Sequence, residues 1–450
     1  MKQRYFIFSI VVLMYLLSAT SCDKLVDVGP PKRSLDPGVV YADSSNTESA
    51  LAGLYSTMYN ATNAGAPFGG GIGYLNALYA DELVSAGGSN FFETNSLLIT
   101  DGNVGSMWSV SYAAIYRANA VIEGATASTS ITPTLRQKTL GEAKFIRAFC
   151  HFHLVNMFGH IPYIKTTDPT ISTLQAQTPV AEVYQSIVND LKDAVAGLSF
   201  DYPGGERVRV NKYAAIAMLA KVYLYLGDWA NAEVQAAIVM ADKKNFQLLE
   251  PSKVFLTAST EAIWQFDSRV KGYASIVTNF VTSAGAIPRY AIRSNLYNAF
   301  ETKDLRRSAW ISSSAGYPYP AKYKSTKGNL EYDAVLRLGE MYLIHAEACA
   351  RQGKVQPAQD DLNALRDRAT ASKVTTLDKE LLLQAVAKER QLELFTEWGN
   401  RFYDLKRTGT IDAVLGAVKP GVWKPDAALF PIPLVEMNKN QNLVQNDGYK

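Results

Sequence analysis

Cysteine is scarce in this sequence, three in 450 residues. Cys22 closes an N-terminal apolar stretch, while Cys150 and Cys349 fall inside helical patterns. That excludes a disulfide framework and makes buried, unpaired thiols the expected state of the two internal cysteines. Histidine is almost as rare, at four. His151 and His153 stand at i, i+2 and so face different sides of a helix, and no His-Glu-x-x-His pattern occurs, so neither a metal site nor any other cofactor is expected. Charge of one sign is lacking too: 45 basic against 42 acidic side chains leave +3, too little to imply a nucleic-acid partner. Loss of Lys2 and Arg4 with a leader would take that to +1 (3 − 2). The GGGIG run at Gly69–Gly73 is not a phosphate loop, because no Gly-Lys-Ser/Thr follows it and no strand clearly precedes it.

What the sequence does have is helical periodicity, most plainly from Arg337 to Gly409. Met341, Leu343, Ile344 and Ala348 recur at helical spacing, Gly353 stops the helix, and Pro357 opens the next, which returns through Ala358, Leu362 and Leu365. A third helix is expected from Asp378 to about Trp398, carrying Glu389, Arg390 and Glu393, with Arg401 and Asp404 just beyond. Those charges admit an acid/base cluster or a buried ion-pair network that locks the third helix, and arginine–carboxylate pairs inside helical packing favour the network. Lys212 to Ala241 lays over the first hairpin so that Gly227 meets Gly353 and Ala232 meets Ala358, a tetratricopeptide-like turn between antiparallel helices. One such pair cannot bury its apolar face alone; stacked pairs can. Further helices are predicted at about Asn46 to Tyr59, Trp108 to Glu123, Thr134 to Phe158, and from Thr178–Pro179 to Gly197.

The N-terminus reads as an export signal: Lys2 and Arg4, apolar Tyr5 to Leu17, then Ala19-Thr20-Ser21-Cys22. A small-residue tract ending in cysteine is the pattern of a lipoprotein signal, here with Ala19 where leucine is usual, so residues 1–21 are expected to be removed and Cys22 to be acylated. The other reading is an ordinary secretory signal. Residues 22–44, with Pro30, Pro31 and Pro37, read as a tether, and 45–450 as one domain. Two irregular blocks interrupt the helices, near 60–107 and 250–331. Glycines are expected to break any long element in the first, and Glu261–Asp267 alternates like a short strand in the second.

The run LRLGEMYLIHAEA, then ER-QLEL-F-EWG-R-YDLKRTG, and the terminal FPIP…EM…NQNLVQNDGY resemble the SusD/RagB family of outer-membrane nutrient-binding lipoproteins. SYAAIYRANAVIEG, LGEAKFIRAFCHFHLVNMFG with FGHIPY, FETKDLRRS and Lys322–Tyr323 extend the likeness, and the departure is Asp447, where the family closes with Asn-Pro-Gly-Tyr. The resemblance implies a mainly α fold, a tetratricopeptide-like scaffold of four helical units with a large loop-rich ligand-binding portion. It also implies a non-enzymatic protein held at the outer membrane by its lipid, which captures oligosaccharide for a SusC-like TonB-dependent transporter. Peptide capture and, further off, an exported hydrolase remain as alternatives; a hydrolase needs a carboxylate pair across a cleft, and no motif proposes one.

The family's ligand sits on loops from regions corresponding to the irregular blocks. Aromatics there lack a partner helix and are expected to be exposed: Asn90, Phe91 and Phe92 in the first block, Tyr290, Arg293, Tyr317 and Tyr319 in the second. The rings would stack on sugars, while Arg293, with Asp81 and Glu82, would hydrogen-bond hydroxyls. The alternative is that these clusters pack under their own loops or face the transporter.

Overall fold

Amphipathic spacing becomes a series of packed helices. The computed structural model describes residues 40–59 and 66–449; the leader, Cys22 and most of the tether lie outside the described residues. The first helices are α1 (Ser44–Tyr59), α2 (Gly71–Tyr79), α3 (Gly102–Ala127), α4 (Pro133–Phe158), α5 (Val180–Gly197), α6 (Lys212–Leu226) and α7 (Trp229–Ala241). After the second irregular block come α8 (Leu338–Arg351), α9 (Val355–Arg368), α10 (Lys379–Leu394), α11 (Asn400–Arg407) and α12 (Ile411–Val418). Packing follows the chain: α1 on α3, α3 on α4, α4 on α5, α5 on α6, α6 on α7, α7 on α8, and α8 on α9 and α10. This is the stacked-hairpin, tetratricopeptide-like scaffold that the apolar faces require.

The helix starts are written locally. The Asp101 carboxylate accepts from the Asn103 and Val104 amides, Asn211 Oδ1 from Ala214, and Asp378 from Leu381, each cap worth about 1 kcal/mol. The α6–α7 and α8–α9 turns are alike, with Gly227 and Gly353 at φ of 71° and 79°, the left-handed region that a side chain strains. Ala232 and Ala358, five residues on in each hairpin, are fully buried where the paired helices meet.

Tertiary burial overrides local preference at two places. Helix α2 forms inside the glycine-rich block, where no long element is expected; all nine of its residues are buried, and it packs on α3 and α11. Helix α10 ends at Leu394 rather than near Trp398, because Phe395 is extended and Thr396 and Trp398 turn left-handed, with φ of 59° and 49°. Distant partners hold that loop: Glu82 accepts from the Thr396 amide at 3.0 Å, and Trp398 Nε1 donates to the Ala334 carbonyl at 2.7 Å.

Among the described residues six short strands, β1 (Leu83–Ser85), β2 (Ala262–Phe266), β3 (Tyr290–Ile292), β4 (Ile311–Ser314), β5 (Tyr317–Pro320) and β6 (Asp333–Arg337), form three antiparallel pairs, β1–β3, β2–β6 and β4–β5. Strand β2 appears where alternation predicts it, yet every residue is buried, since Trp264 packs on Phe145 and Phe149 of α4 and α6 lies against the strand. No described helix is long and apolar enough to cross a membrane.

Candidate ligand-binding face

Strands β1 and β3 bring the two irregular blocks side by side, pairing Leu83 with Ile292, Val84 with Ala291 and Ser85 with Tyr290. Strand β5 lies against β3. The loops that leave this small sheet are tied back to it. Glu93 Oε2 accepts from the Ser85 amide at 2.8 Å, while its Oε1 faces Arg293 Nη2 at 3.5 Å. Ser314 Oγ donates to the Ala286 carbonyl at 2.7 Å, fastening the β4–β5 hairpin to the loop before β3.

The aromatics do not share one fate. Phe91 is 51% exposed and Tyr317 40%; Tyr319 and Asn90 are half-buried. Asn90 Oδ1 accepts from the Phe92 amide at 2.8 Å, and Arg293 Nε donates to the Leu83 carbonyl at 3.1 Å. The expectation that loop aromatics stay exposed fails at Phe92 and Tyr290, which are 1% and 2% exposed. Phe92 packs edge-on against Tyr79 and Phe430, and Tyr290 stacks on Tyr74 at 5.4 Å between ring centres. None of the six tryptophans is exposed, so any flat apolar surface here is Phe or Tyr.

Asp81 and Glu82 lie beneath the face, not on it. Asp81 accepts both Nε and Nη2 of Arg401 at 2.7 Å, which closes its carboxylate. Glu82 is buried and bonded through Oε2 to Thr396, with Oε1 unpartnered. Sequence reasoning misses Lys419, whose ammonium, buried under the same loops, donates to the Leu78 and Tyr79 carbonyls and to Asn95 Oδ1, each at 2.9 Å. It joins the end of α2 to the Asn90–Asn95 loop. No local signal marks it, because α12 places it from the far end of the chain.

Burial pushes the Glu82 carboxyl up to about 8; the Asp81 charge adds to this, and the Thr396 amide and the Arg401 charge oppose it. A folded-state value above the unfolded one means that the stability it contributes is full below about pH 4.5 and is lost as pH rises toward 8. Glu82→Gln, a neutral mimic of the protonated acid, is therefore expected to match the native chain at pH 5 and exceed it at pH 8.5. The native chain loses up to about 1.4 kcal/mol per pH unit between those limits from this group. Urea midpoints of both proteins across that range test it, and an unchanged difference between them would count against a protonated Glu82.

The charges on α10 form an interior network. Glu393 Oε1 accepts from Arg337 Nη1 at 2.7 Å and from Arg368 Nη2, and its Oε2 from Arg306 Nη1 at 2.9 Å. Arg306 also holds Asp304 and Glu389, Arg337 reaches Glu261 and Glu397, and Lys322 bonds Glu397. Arg390 belongs to a neighbouring set with Asp404, Arg407 and Glu347. These carboxylates are buried, Asp404 in part, and taken up by cations, which is the ion-pair reading of the motif.

Cys150 and Cys349 are buried and free. Burial pushes His151 down to about 3 and His153 well below its usual range, so both stay neutral in the core. Among the described residues one trio stands close enough to hold a metal ion, Glu233, His345 and Cys349, with ligand atoms within 4.8 Å of one another. The i, i+4 spacing of His345 and Cys349 is the sequence signal for this grouping.

Comparison with known proteins agrees along the chain. Residues 260–449 match the SusD family, and residues 37–224 match a family described as starch-binding, associating with outer membrane. SusD-like protein P25 of Formosa agariphila is 25% identical over 98% of this chain and 98% of its own. A solved laminarin-binding SusD-like protein is 26% identical, with a TM-score of 0.77 over 91% of this chain and 100% of that one. A SusD superfamily protein from Bacteroides vulgatus shares the fold at 20% identity, with a TM-score of 0.79 over 91% and 99% of the two chains. From its helical scaffold, its closing motifs and these matches, the chain belongs to the SusD/RagB family.

Proposed function

We propose that this protein captures oligosaccharide at the outer membrane without turning it over and hands it to a SusC-like TonB-dependent transporter. Residues 1–21 are removed, an acyl group on Cys22 holds the protein to the membrane, and residues 22–44 carry the folded domain of 45–450 clear of the lipid. The observation that carries this reading is the pair of exposed rings, Phe91 on a loop tied to β1 and Tyr317 at the start of β5, whose hairpin is fastened to the loop before β3. Sugar capture needs flat apolar faces for the C–H sides of the rings and a few hydrogen-bonding groups, and it needs no general acid. Phe91, Tyr317 and Tyr319 stack on sugar rings; Asn90 and Arg293 bond hydroxyls; Asp81 and Glu82 hold the loops from below. The relative named for laminarin binding supports a glycan as ligand. Affinity per sugar is modest, since hydroxyl desolvation offsets much of each hydrogen bond.

Calorimetric titration of the purified protein against oligosaccharide and peptide panels, with a turnover assay alongside, tests the reading. Saturable heat with a glycan, none with peptides and no product is the expected result. Binding confined to peptides, or release of product, overturns it. In membranes solubilised with mild detergent, the native chain is expected to bring a TonB-dependent transporter with it, and Cys22→Ala to leave the membrane fraction. Recovery alone in several detergents counts against the pairing, and unchanged partition of Cys22→Ala against the anchor.

A further inference from the structure

The trio Glu233, His345 and Cys349 sits where two helical hairpins of the scaffold meet. Glu233 comes from α7, and His345 and Cys349 from one face of α8, which packs on α7. Asp361 of α9 approaches the same imidazole, its Oδ2 2.5 Å from Nδ1. The arrangement is graded in exposure: the Cys349 sulfur is buried, while the His345 and Glu233 side chains are 16% and 20% exposed, so an ion has a way in.

We propose that Glu233, His345 and Cys349 bind a divalent ion of the zinc class, with Asp361 as the positioning partner of the imidazole. The ligand chemistry chooses the ion. A thiolate and an imidazole suit zinc-like ions and are poor ligands for calcium or magnesium, which take oxygen. The Asp361 carboxylate occupies Nδ1, so Nε2 is the nitrogen turned to the metal, the carboxylate–histidine–metal arrangement that fixes tautomer and ring orientation. Cys349 Sγ lies alongside the ring, 3.7 Å from Nδ1 and 3.9 Å from Nε2. Tetrahedral bonds of about 2.0–2.3 Å separate neighbouring ligands by roughly 3.3–3.8 Å, so a turn of the Cys349 side chain toward Nε2 brings this pair onto one ion. Glu233 accepts from Lys354 Nζ through both oxygens and from Gln352 Nε2 through Oε2. A carboxylate has lone pairs to spare, so one oxygen turns to the ion while the other keeps Lys354. Water takes the fourth position.

Binding displaces the thiol proton of Cys349 and any proton on His345 Nε2, so affinity rises with pH. The ion is structural. It cross-links α7 of one hairpin to α8 of the next and stands well apart in sequence from the loops that form the ligand-binding face. None of its ligands lies on those loops, so removing the metal leaves glycan affinity intact if both readings hold.

The test uses the purified full-length chain, stripped with chelator and titrated with Zn2+ alone. One equivalent is expected to bind and to raise the melting temperature. Loading with Co2+ instead is expected to give a near-ultraviolet thiolate-to-cobalt band, which reports a sulfur ligand without any substitution. The band is lost in Cys349→Ser and retained in Cys150→Ser and Cys22→Ser. His345→Ala abolishes saturable binding, and Asp361→Asn weakens it by roughly 10–100-fold. Absence of saturable Zn2+ binding by the native chain, a Co2+ spectrum without the sulfur band, or equal affinity in His345→Ala overturns the proposal.

Discussion

Glu393→Ala is expected to lower the unfolding free energy by about 3–5 kcal/mol, the usual result of removing one partner from a buried ion pair. Glu393 is fully buried and accepts from three guanidiniums, those of Arg306, Arg337 and Arg368. Their charges hold its carboxyl well below the usual range against the opposing effect of burial. With the carboxylate gone, the three cations remain at close quarters in a place water cannot reach. Asp304, Glu389, Glu261 and Glu397 still neutralise part of their charge, which keeps the loss from being larger. Arg390→Ala is the milder change, although the sequence motif gives that residue equal prominence. Its partner Asp404 retains Arg407, so no carboxylate is stranded. Urea unfolding at neutral pH of native, Glu393→Ala and Arg390→Ala chains checks the order. Equal midpoints for native and Glu393→Ala would mean that the network contributes nothing to folding. Glycan affinity of the folded protein is expected to stay unchanged in both variants, which separates a structural network from a binding one.

Most of the scaffold was legible in the sequence because its long helices carry an apolar period and several of them their own N-cap, and those signals are local. The same holds for the α6–α7 and α8–α9 turns, where Gly227 and Gly353 take the left-handed conformation and Ala232 and Ala358 the tight contact. The network was half legible. Glu389 and Glu393 share a helix and announce themselves, but their cations arrive from Arg306, Arg337 and Arg368, and no periodicity links those positions. Gly339 illustrates what a motif hides: a Cβ there would stand 2.5 Å from Arg337 Nη1 and 2.9 Å from Glu261 Oε1, so the Gly in LRLGEMY keeps room for the ion pairs. The candidate face was the least legible part. Whether a loop aromatic is covered depends on residues that fold over it from elsewhere. Phe92 is covered by Phe430, near the far end of the chain, and Tyr290 by Tyr74. The pattern of the loops themselves contains neither fact.

That difference between neighbouring rings yields the largest functional prediction, which rests on the proposed sugar-binding role. Phe91 and Phe92 are adjacent in sequence and of one chemical type, yet one presents its ring to solvent and the other lies in the core. Truncating an exposed ring that stacks on a ligand removes about 1–3 kcal/mol of burial from the complex and little from the free protein. Phe91→Ala/Tyr317→Ala is therefore expected to weaken binding of the cognate glycan by at least about tenfold, and by about a hundredfold or more where both rings engage one ligand. Its melting temperature is expected to match that of the native chain. Phe92→Ala is expected to do the reverse. It opens a cavity between Tyr79 and Phe430 and costs about 3–5 kcal/mol of stability. At temperatures where it remains folded, its glycan affinity is expected to fall only as far as the Asn90–Asn95 loop is loosened. Calorimetry and thermal unfolding on the two proteins decide the matter together. Native affinity in Phe91→Ala/Tyr317→Ala places the ligand away from the β1–β3–β5 face, whatever Phe92→Ala does to stability.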